Sequence, residues 1–86
     1  MYRVVLHKRA LKDYQKQDAR TQERLDEALE DLSQHPYKGP SIKRLSGELS
    51  DLFRYRVGSL RILYEIHEEL RMVRVKAIAS RGDIYK

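Results

Sequence analysis

The sequence predicts an α+β domain in which two N-terminal helices pack on one face of an antiparallel β-sheet. The N-terminal half spaces its apolar residues as helices do, whereas the C-terminal half alternates apolar and polar residues with a period of two. The length of 86 residues fits one domain, and we expect residues 1–86 to fold as a single unit. The expected element order is β-α-α-β-β-β.

The N-terminal half predicts one strand and two helices. Residues 2–6 (YRVVL) are apolar and β-branched, as is typical of a strand. Residues 8–17 carry a short apolar stripe at helical spacing. Asp18 is a suitable N-cap for a second helix that continues to about residue 34. Residues 35–50 contain two prolines, two glycines and three serines, which predicts a loop.

Residues 52–66 (LFRYRVGSLRILYEI) predict a β-hairpin around which the other elements are arranged. Gly58–Ser59 is an acceptable two-residue loop, because glycine adopts positive φ without steric cost. With this loop, Arg56 lies directly opposite Arg61. Two arginines that face each other across a strand pair repel and destabilise the sheet. Their retention therefore indicates that an anion binds between them.

A final strand is predicted over residues 72–79, after a turn at residues 67–69. Strict alternation assigns Val73, Val75 and Ala77 to the apolar face of this strand, and Arg74, Lys76 and Ile78 to the other.

The face of the sheet away from the helices is predicted to be basic and open to solvent, as antiparallel sheets allow. In the preceding loop, Lys43 and Arg44 are further candidates for contact with phosphate. The five cations predicted on the open face itself are Arg54, Arg56, Arg61, Arg74 and Lys76.

Positive charge is concentrated in the C-terminal part of the chain. Residues 1–51 carry ten basic and nine acidic residues, whereas residues 52–86 carry eight and four. A basic surface indicates contact with a polyanion such as nucleic acid. The alternative is that the excess of lysine and arginine only maintains solubility.

Several classes of site are not predicted. The chain has no cysteine, which excludes disulfides and thiolate metal sites. It has no glycine-rich phosphate loop, no cluster of metal ligands and no Ser-His-Asp set. No apolar run is long enough to span a membrane, and the N-terminus lacks the apolar core of a signal peptide. We therefore expect a cytoplasmic protein without a metal, a small-molecule cofactor or a membrane partner.

The tail contains two groups that suit phosphate chemistry, Arg81 and Tyr85. The guanidinium fork of arginine matches two phosphate oxygens and can stabilise charge in a transition state. Tyr85 is able to exchange a proton, but neighbouring positive charge would have to lower its pKa from about 10 for it to act as a base. The alternative is structural: Tyr85 caps the core, and Arg81 pairs with Asp83.

Four segments together resemble the RelE/ParE superfamily of type II toxins. They are RALKDYQK in the first helix, PYKGPSIKRLSGEL in the loop, LFRYRVGSLRILYEI in the hairpin and SRGDIY after the last strand. The similarity spans nearly the whole chain, and the element order agrees with it. Resemblance to the RelE branch implies a ribosome-dependent endoribonuclease that cleaves messenger RNA in the ribosomal A site and inhibits translation. It also implies three partners: the ribosome, messenger RNA and a separate antitoxin.

The same resemblance implies a mechanism without metal. The messenger's 2′-hydroxyl attacks the adjacent phosphate, which leaves a 2′,3′-cyclic phosphate and a 5′-hydroxyl. By this analogy Tyr85 is the general base, Arg61 stabilises transition-state charge, and Arg81 stabilises the leaving oxygen or donates to it. Arg54 and Arg56 position the phosphate and lower the pKa of Tyr85.

Two alternative functions share this fold or this surface. The ParE branch is associated with inhibition of DNA gyrase and is not thought to use the arginine and tyrosine set, so Arg81 and Tyr85 favour the nuclease. A non-catalytic RNA-binding module would need exposed aromatic rings for base stacking. The sequence instead predicts that Phe53, Tyr55 and Tyr64 lie on the core face.

Overall fold

The computed structural model describes residues 1–45, 47 and 51–80. Two helices lie on one side of a five-stranded sheet, which confirms the predicted α+β class. The elements are β1 (Arg3–Leu6), α1 (Lys8–Gln15), α2 (Ala19–Gln34), β2 (Ile42–Arg44), β3 (Phe53–Val57), β4 (Leu60–His67), a 3₁₀ turn (Glu68–Leu70) and β5 (Met72–Ser80).

The strands are ordered β1-β5-β4-β3-β2 across the sheet, and they are antiparallel except for β1, which is parallel to β5. The sheet is therefore mixed, where a wholly antiparallel one was predicted. The apolar pattern of a short strand shows which residues share a face but carries no information on the direction of a distant partner strand.

The segment predicted as loop after α2 contains a strand of three residues, β2. Ile42 pairs with Tyr55, and Lys43 pairs with Arg54. Three residues are too few to show a period of two, and the surrounding prolines and glycines conceal the strand in the sequence.

Both helices begin where their sequences predict. The Asp18 carboxylate accepts a hydrogen bond from the Thr21 amide at 2.8 Å, which caps α2. The helix ends at Gln34, two residues before Pro36. Leu25 and Leu32 of α2 are fully buried against the sheet, and burying each side chain contributes about 1.5–3 kcal/mol.

Tyrosine hydroxyls link the layers of the fold. The Tyr64 hydroxyl donates to the Pro36 carbonyl at 2.7 Å, and the Tyr55 hydroxyl donates to the Asp31 carboxylate at 2.8 Å. Phe53 stacks on Tyr64, with ring centroids 5.6 Å apart. These three rings lie on the helix side of the sheet, as predicted.

A β-bulge in β5 changes which residues face the helices. Leu63 pairs with Ala77 and Tyr64 with Val75, so Lys76 is an extra residue without a direct partner. Beyond the bulge the alternation is shifted by one, and Ile78 packs in the core. The predicted assignment of Ala77 to the core face and Ile78 to the open face is therefore wrong.

Candidate nucleic-acid interface

The candidate site is built on the β3–β4 hairpin, whose turn is Gly58–Ser59. Gly58 has a φ of 58°, in the left-handed region that favours glycine. Arg56 pairs with Arg61, and Arg54 pairs with Leu63. The pairing predicted from the two-residue loop is confirmed.

Arg56 and Arg61 form the walls of a cleft next to the turn. This hairpin cleft has a volume of about 210 Å³ and is also lined by Gly58, Ser59 and Leu60. Arg56 is exposed, and Arg61 is partly buried. Because their guanidinium groups are cations at any physiological pH, an anion between them would remove their repulsion and accept hydrogen bonds from both.

Further cations extend the open face along the sheet. Lys43 lies beside Arg54, because the two residues are register partners on β2 and β3. Arg74 lies opposite Glu65, the acidic residue of β4 on this face. We call Lys43, Arg54, Arg56, Arg61 and Arg74 the basic face.

Among the described residues, no carboxylate lies within hydrogen-bonding reach of the basic face. Glu65 interacts with His67, with Oε1 3.0 Å from Nε2. Within residues 1–45, 47 and 51–80, none of the five cations has a carboxylate oxygen within 4.0 Å. The open face therefore presents cations whose charge is available to a polyanion.

Small and apolar side chains lie between these cations. Leu63, Ala77 and Ala79 are at most 8% exposed. Ala77 and Ala79 reach this face only because of the bulge, so the sequence pattern did not place them there.

The structure separates some of the predicted site residues. Arg44 lies on the helix side, with its guanidinium carbon 5.6 Å from the centre of the Phe53 ring. Lys76 is the bulged residue of β5 and has no direct partner in β4. Arg81 and Tyr85 lie outside the described residues. Lys43 joins the basic face through a strand that the sequence did not reveal.

A larger cavity, of about 380 Å³, lies near the other end of β4. Its walls include the carboxylates Asp51 and Glu65 as well as Arg44 and His67. This mixture of charges suits a polyanion less well than the hairpin cleft does.

Comparison with known proteins identifies the family. A sequence model of the ParE toxin of type II toxin–antitoxin systems (parDE) matches residues 4–85. The chain belongs to the RelE/ParE superfamily of type II toxins. This confirms the family predicted from the sequence motifs.

Relatives of this toxin are found in archaea and bacteria. It is 30% identical to a Methanocaldococcus jannaschii protein assigned as toxin RelE1, over 99% of this chain and 96% of that protein. A chain of the RelBE2 toxin–antitoxin complex from Mycobacterium tuberculosis superimposes with a TM-score of 0.83 at 31% identity, covering 93% of this chain and 98% of that one. A chain of the archaeal RelE–RelB complex from Pyrococcus horikoshii gives a TM-score of 0.80 at 26% identity, covering 95% and 97%.

In the part of the toxin that the structure describes, neither helix has the length and apolar character needed to cross a membrane.

Proposed function

We propose that this toxin cleaves messenger RNA in the ribosomal A site and thereby stops translation. The observation that carries the proposal is the position of Arg56 opposite Arg61, with Arg54 next in line on the same open face. Such a set of cations suits a phosphodiester better than a neutral ligand. Similarity to proteins named RelE supports the same reading.

The proposed reaction is an internal transfer within the RNA strand. The 2′-oxygen forms a bond to the adjacent phosphorus, and the bond from phosphorus to the next nucleotide's 5′-oxygen breaks. The attacking hydroxyl loses its proton to a base, and the leaving oxygen gains one. The products are a 2′,3′-cyclic phosphate and a 5′-hydroxyl, and the balance requires no other reactant.

The roles of individual residues follow from this chemistry. Arg61 stabilises the charge that develops on the phosphoryl oxygens, while Arg54 and Arg56 position the phosphate. We propose Tyr85 as the base and Arg81 as the group that assists the leaving oxygen. Both of these roles rest on the family resemblance.

Cations farther from the turn contact the flanking RNA. Lys43 and Arg74 lie on the basic face, and Lys76 lies two residues after Arg74 on β5, which supports this proposal. Arg44 was also predicted to contact phosphate. Its position over Phe53, on the helix side, removes it from this set.

A separate antitoxin is the proposed protein partner. The similar structure from M. tuberculosis is the toxin–antitoxin complex RelBE2, and the one from P. horikoshii is a complex of RelE with RelB. An acidic segment of such a partner would neutralise the basic face and block RNA. Co-expression with neighbouring small genes tests this point, and failure of the toxin to copurify with any of their products would contradict it.

Inhibition of DNA gyrase is the second candidate function, because the matching family model is that of the ParE toxin. A supercoiling assay with purified gyrase distinguishes the two activities. Loss of supercoiling activity together with intact messenger would favour the gyrase reading.

The nuclease proposal is tested with a messenger that carries a single 2′-deoxynucleotide before the mapped cut. We expect cleavage at that site to disappear while cuts elsewhere continue. Undiminished cleavage at the modified site would rule out attack by the 2′-hydroxyl.

A further inference from the structure

A second basic cleft adjoins the hairpin cleft. It has a volume of about 230 Å³ and lies between α1 and the end of β5, with Arg9 and Lys16 among its walls. Leu60 lines this cleft as well as the hairpin cleft. We call it the helix cleft. Because the two clefts share Leu60, they adjoin at the turn end of the sheet, the hairpin cleft on the open side and the helix cleft on the helix side.

The carboxylate in the helix cleft belongs to Asp13 and stabilises the fold. Asp13 is 7% exposed and accepts a hydrogen bond from the Ile78 amide at 3.0 Å. This contact attaches α1 to β5 beyond the end of β1, whose last register partner is Val75. Asp13 therefore serves as the partner of a backbone amide in the interior.

Arg9 and Lys16 form only long ion pairs with Asp13. Arg9 Nε lies 3.8 Å from one Asp13 oxygen and Lys16 Nζ lies 3.7 Å from the other, with the cationic side chains 63% and 71% exposed. Although Asp13 is buried, both separations exceed hydrogen-bonding distance, and the cationic ends lie in solvent, which screens the attraction. Both cations can therefore turn towards an anion in solvent at small cost.

The charge of the two helices is opposite. Residues 8–16 carry four basic residues and one acidic residue, whereas residues 19–34 carry two basic and five acidic residues. The nearly balanced charge of the N-terminal half conceals this separation. In the fold, the excess positive charge lies on α1, beside the end of β5, and the excess negative charge lies on α2.

We propose that the helix cleft binds phosphates of an RNA strand that continues from the hairpin cleft across Leu60. This rests on the proposed function, since RNA is the polymer expected in the hairpin cleft. A strand has one phosphate in every nucleotide, so adjoining cationic clefts match successive phosphates of one chain. A single small anion would need only one of them.

The test measures binding of uncleavable 2′-O-methyl RNA by fluorescence anisotropy. The double variant Arg9→Gln/Lys16→Gln is compared with Lys8→Gln/Lys12→Gln, which removes the same charge from residues of α1 that do not line the cleft. With a twelve-nucleotide RNA, we expect the cleft variant to bind about tenfold more weakly, and its salt slope to fall by about 1.4, or about 0.7 per lost phosphate contact. Equal losses of twelve-nucleotide binding in the two double variants would overturn the proposal.

Asp13→Asn tests the proposal in the opposite direction. Asparagine keeps an acceptor for the Ile78 amide and removes the charge that attracts Arg9 and Lys16. We expect the folded variant to bind the twelve-nucleotide RNA about two- to fivefold more tightly, because two cations are released for phosphate contact. Weaker binding by a variant with a wild-type circular dichroism spectrum would contradict the proposal.

Two RNA sources share this chemistry, the messenger and ribosomal RNA. Weaker binding of Arg9→Gln/Lys16→Gln to the oligonucleotide but not to messenger-free ribosomes indicates the messenger, and weaker binding to both indicates ribosomal RNA. If the variant binds both the oligonucleotide and the ribosomes as tightly as the wild type does, the proposal for the helix cleft is overturned. The variant Arg56→Gln/Arg61→Gln tests the hairpin cleft separately: if it binds RNA like the wild type, the proposed function loses its support whatever the helix cleft does.

Discussion

Arg56 and Arg61 occupy directly opposite positions on neighbouring strands, on the side of the sheet away from the helices. The fold keeps two like charges where they oppose strand pairing. This arrangement is the main physical reason for assigning an anionic ligand to the hairpin.

Removing one member of the pair should stabilise the protein while it harms activity. We expect Arg61→Gln to raise the free energy of unfolding by about 0.2–1 kcal/mol, because the repulsion between opposite strand residues disappears. Urea denaturation in a low-salt buffer without phosphate measures this change. Arg74→Gln is the matched control, since Arg74 lies opposite Glu65 and its loss should bring no gain. A less stable Arg61→Gln would show that the pair does not strain the hairpin.

The hairpin could be predicted from the sequence because its two-residue loop determines which residues pair. The bulge at Lys76 could not, since residues 73–77 alternate evenly and the apolar run at residues 77–79 does not show which side chains face the core. The short strand β2 was hidden for a similar reason. Its discovery separates Lys43 from Arg44, which the sequence had grouped together, because neighbouring strand residues point to opposite faces.

The candidate site was predictable only in part. The cations of β3 and β4 follow from alternation, but the proposed contribution of α1 requires knowing that Asp13 is buried against Ile78. The roles of Arg81 and Tyr85 stay predictions, as both lie outside the described residues.

The contact between Asp13 and Ile78 should matter for stability. Asp13→Ala leaves the Ile78 amide without its acceptor, and a buried donor without a partner costs about 1–3 kcal/mol. Asp13→Asn retains an acceptor and should lose less. Guanidinium denaturation of both variants measures the difference. Equal destabilisation would mean that the carboxylate charge, and not the hydrogen bond, stabilises this region.

Glu68 should make stability depend on pH under acid conditions. Hydrogen bonds from Tyr2 and Tyr37, each 2.6 Å long, and from Arg71 at 2.7 Å lower the pKa of Glu68 to about 2. Since this value is below that of an unfolded chain, ionised Glu68 favours the folded state at neutral pH. That contribution is lost as the pH falls from about 4.5 towards 2.

The corresponding test compares the wild type with Glu68→Gln. The unfolding free energy of the variant should vary less between pH 4.5 and about 2. Urea denaturation at several pH values measures this dependence. Two curves of the same shape in this window would exclude Glu68 as a source of acid sensitivity.

Gly58 should be required for the hairpin turn. Gly58 has a φ of 58°, which residues with a Cβ rarely adopt. A Cβ at this position would also lie 3.0 Å from an Arg24 guanidinium nitrogen. Because the end of a long arginine side chain can move, the backbone term should dominate, and we expect Gly58→Ala to cost about 1–2 kcal/mol. Gly58→Asn, which tolerates the left-handed region, should cost less. Thermal unfolding measures both variants, and an Ala variant as stable as wild type would contradict this account of the turn.

The central claim, ribosome-dependent cleavage by the basic face, is tested most directly by primer extension on a defined messenger, with and without ribosomes. The proteins compared are the wild type, Arg61→Gln, Tyr85→Phe and the control Arg20→Gln, an exposed cation of α2. We predict cuts only when ribosomes are present, undiminished in the control and reduced by about 10²-fold or more in the other two variants. Intact messenger in every lane, or equal cleavage by Arg61→Gln and the wild type, would contradict it.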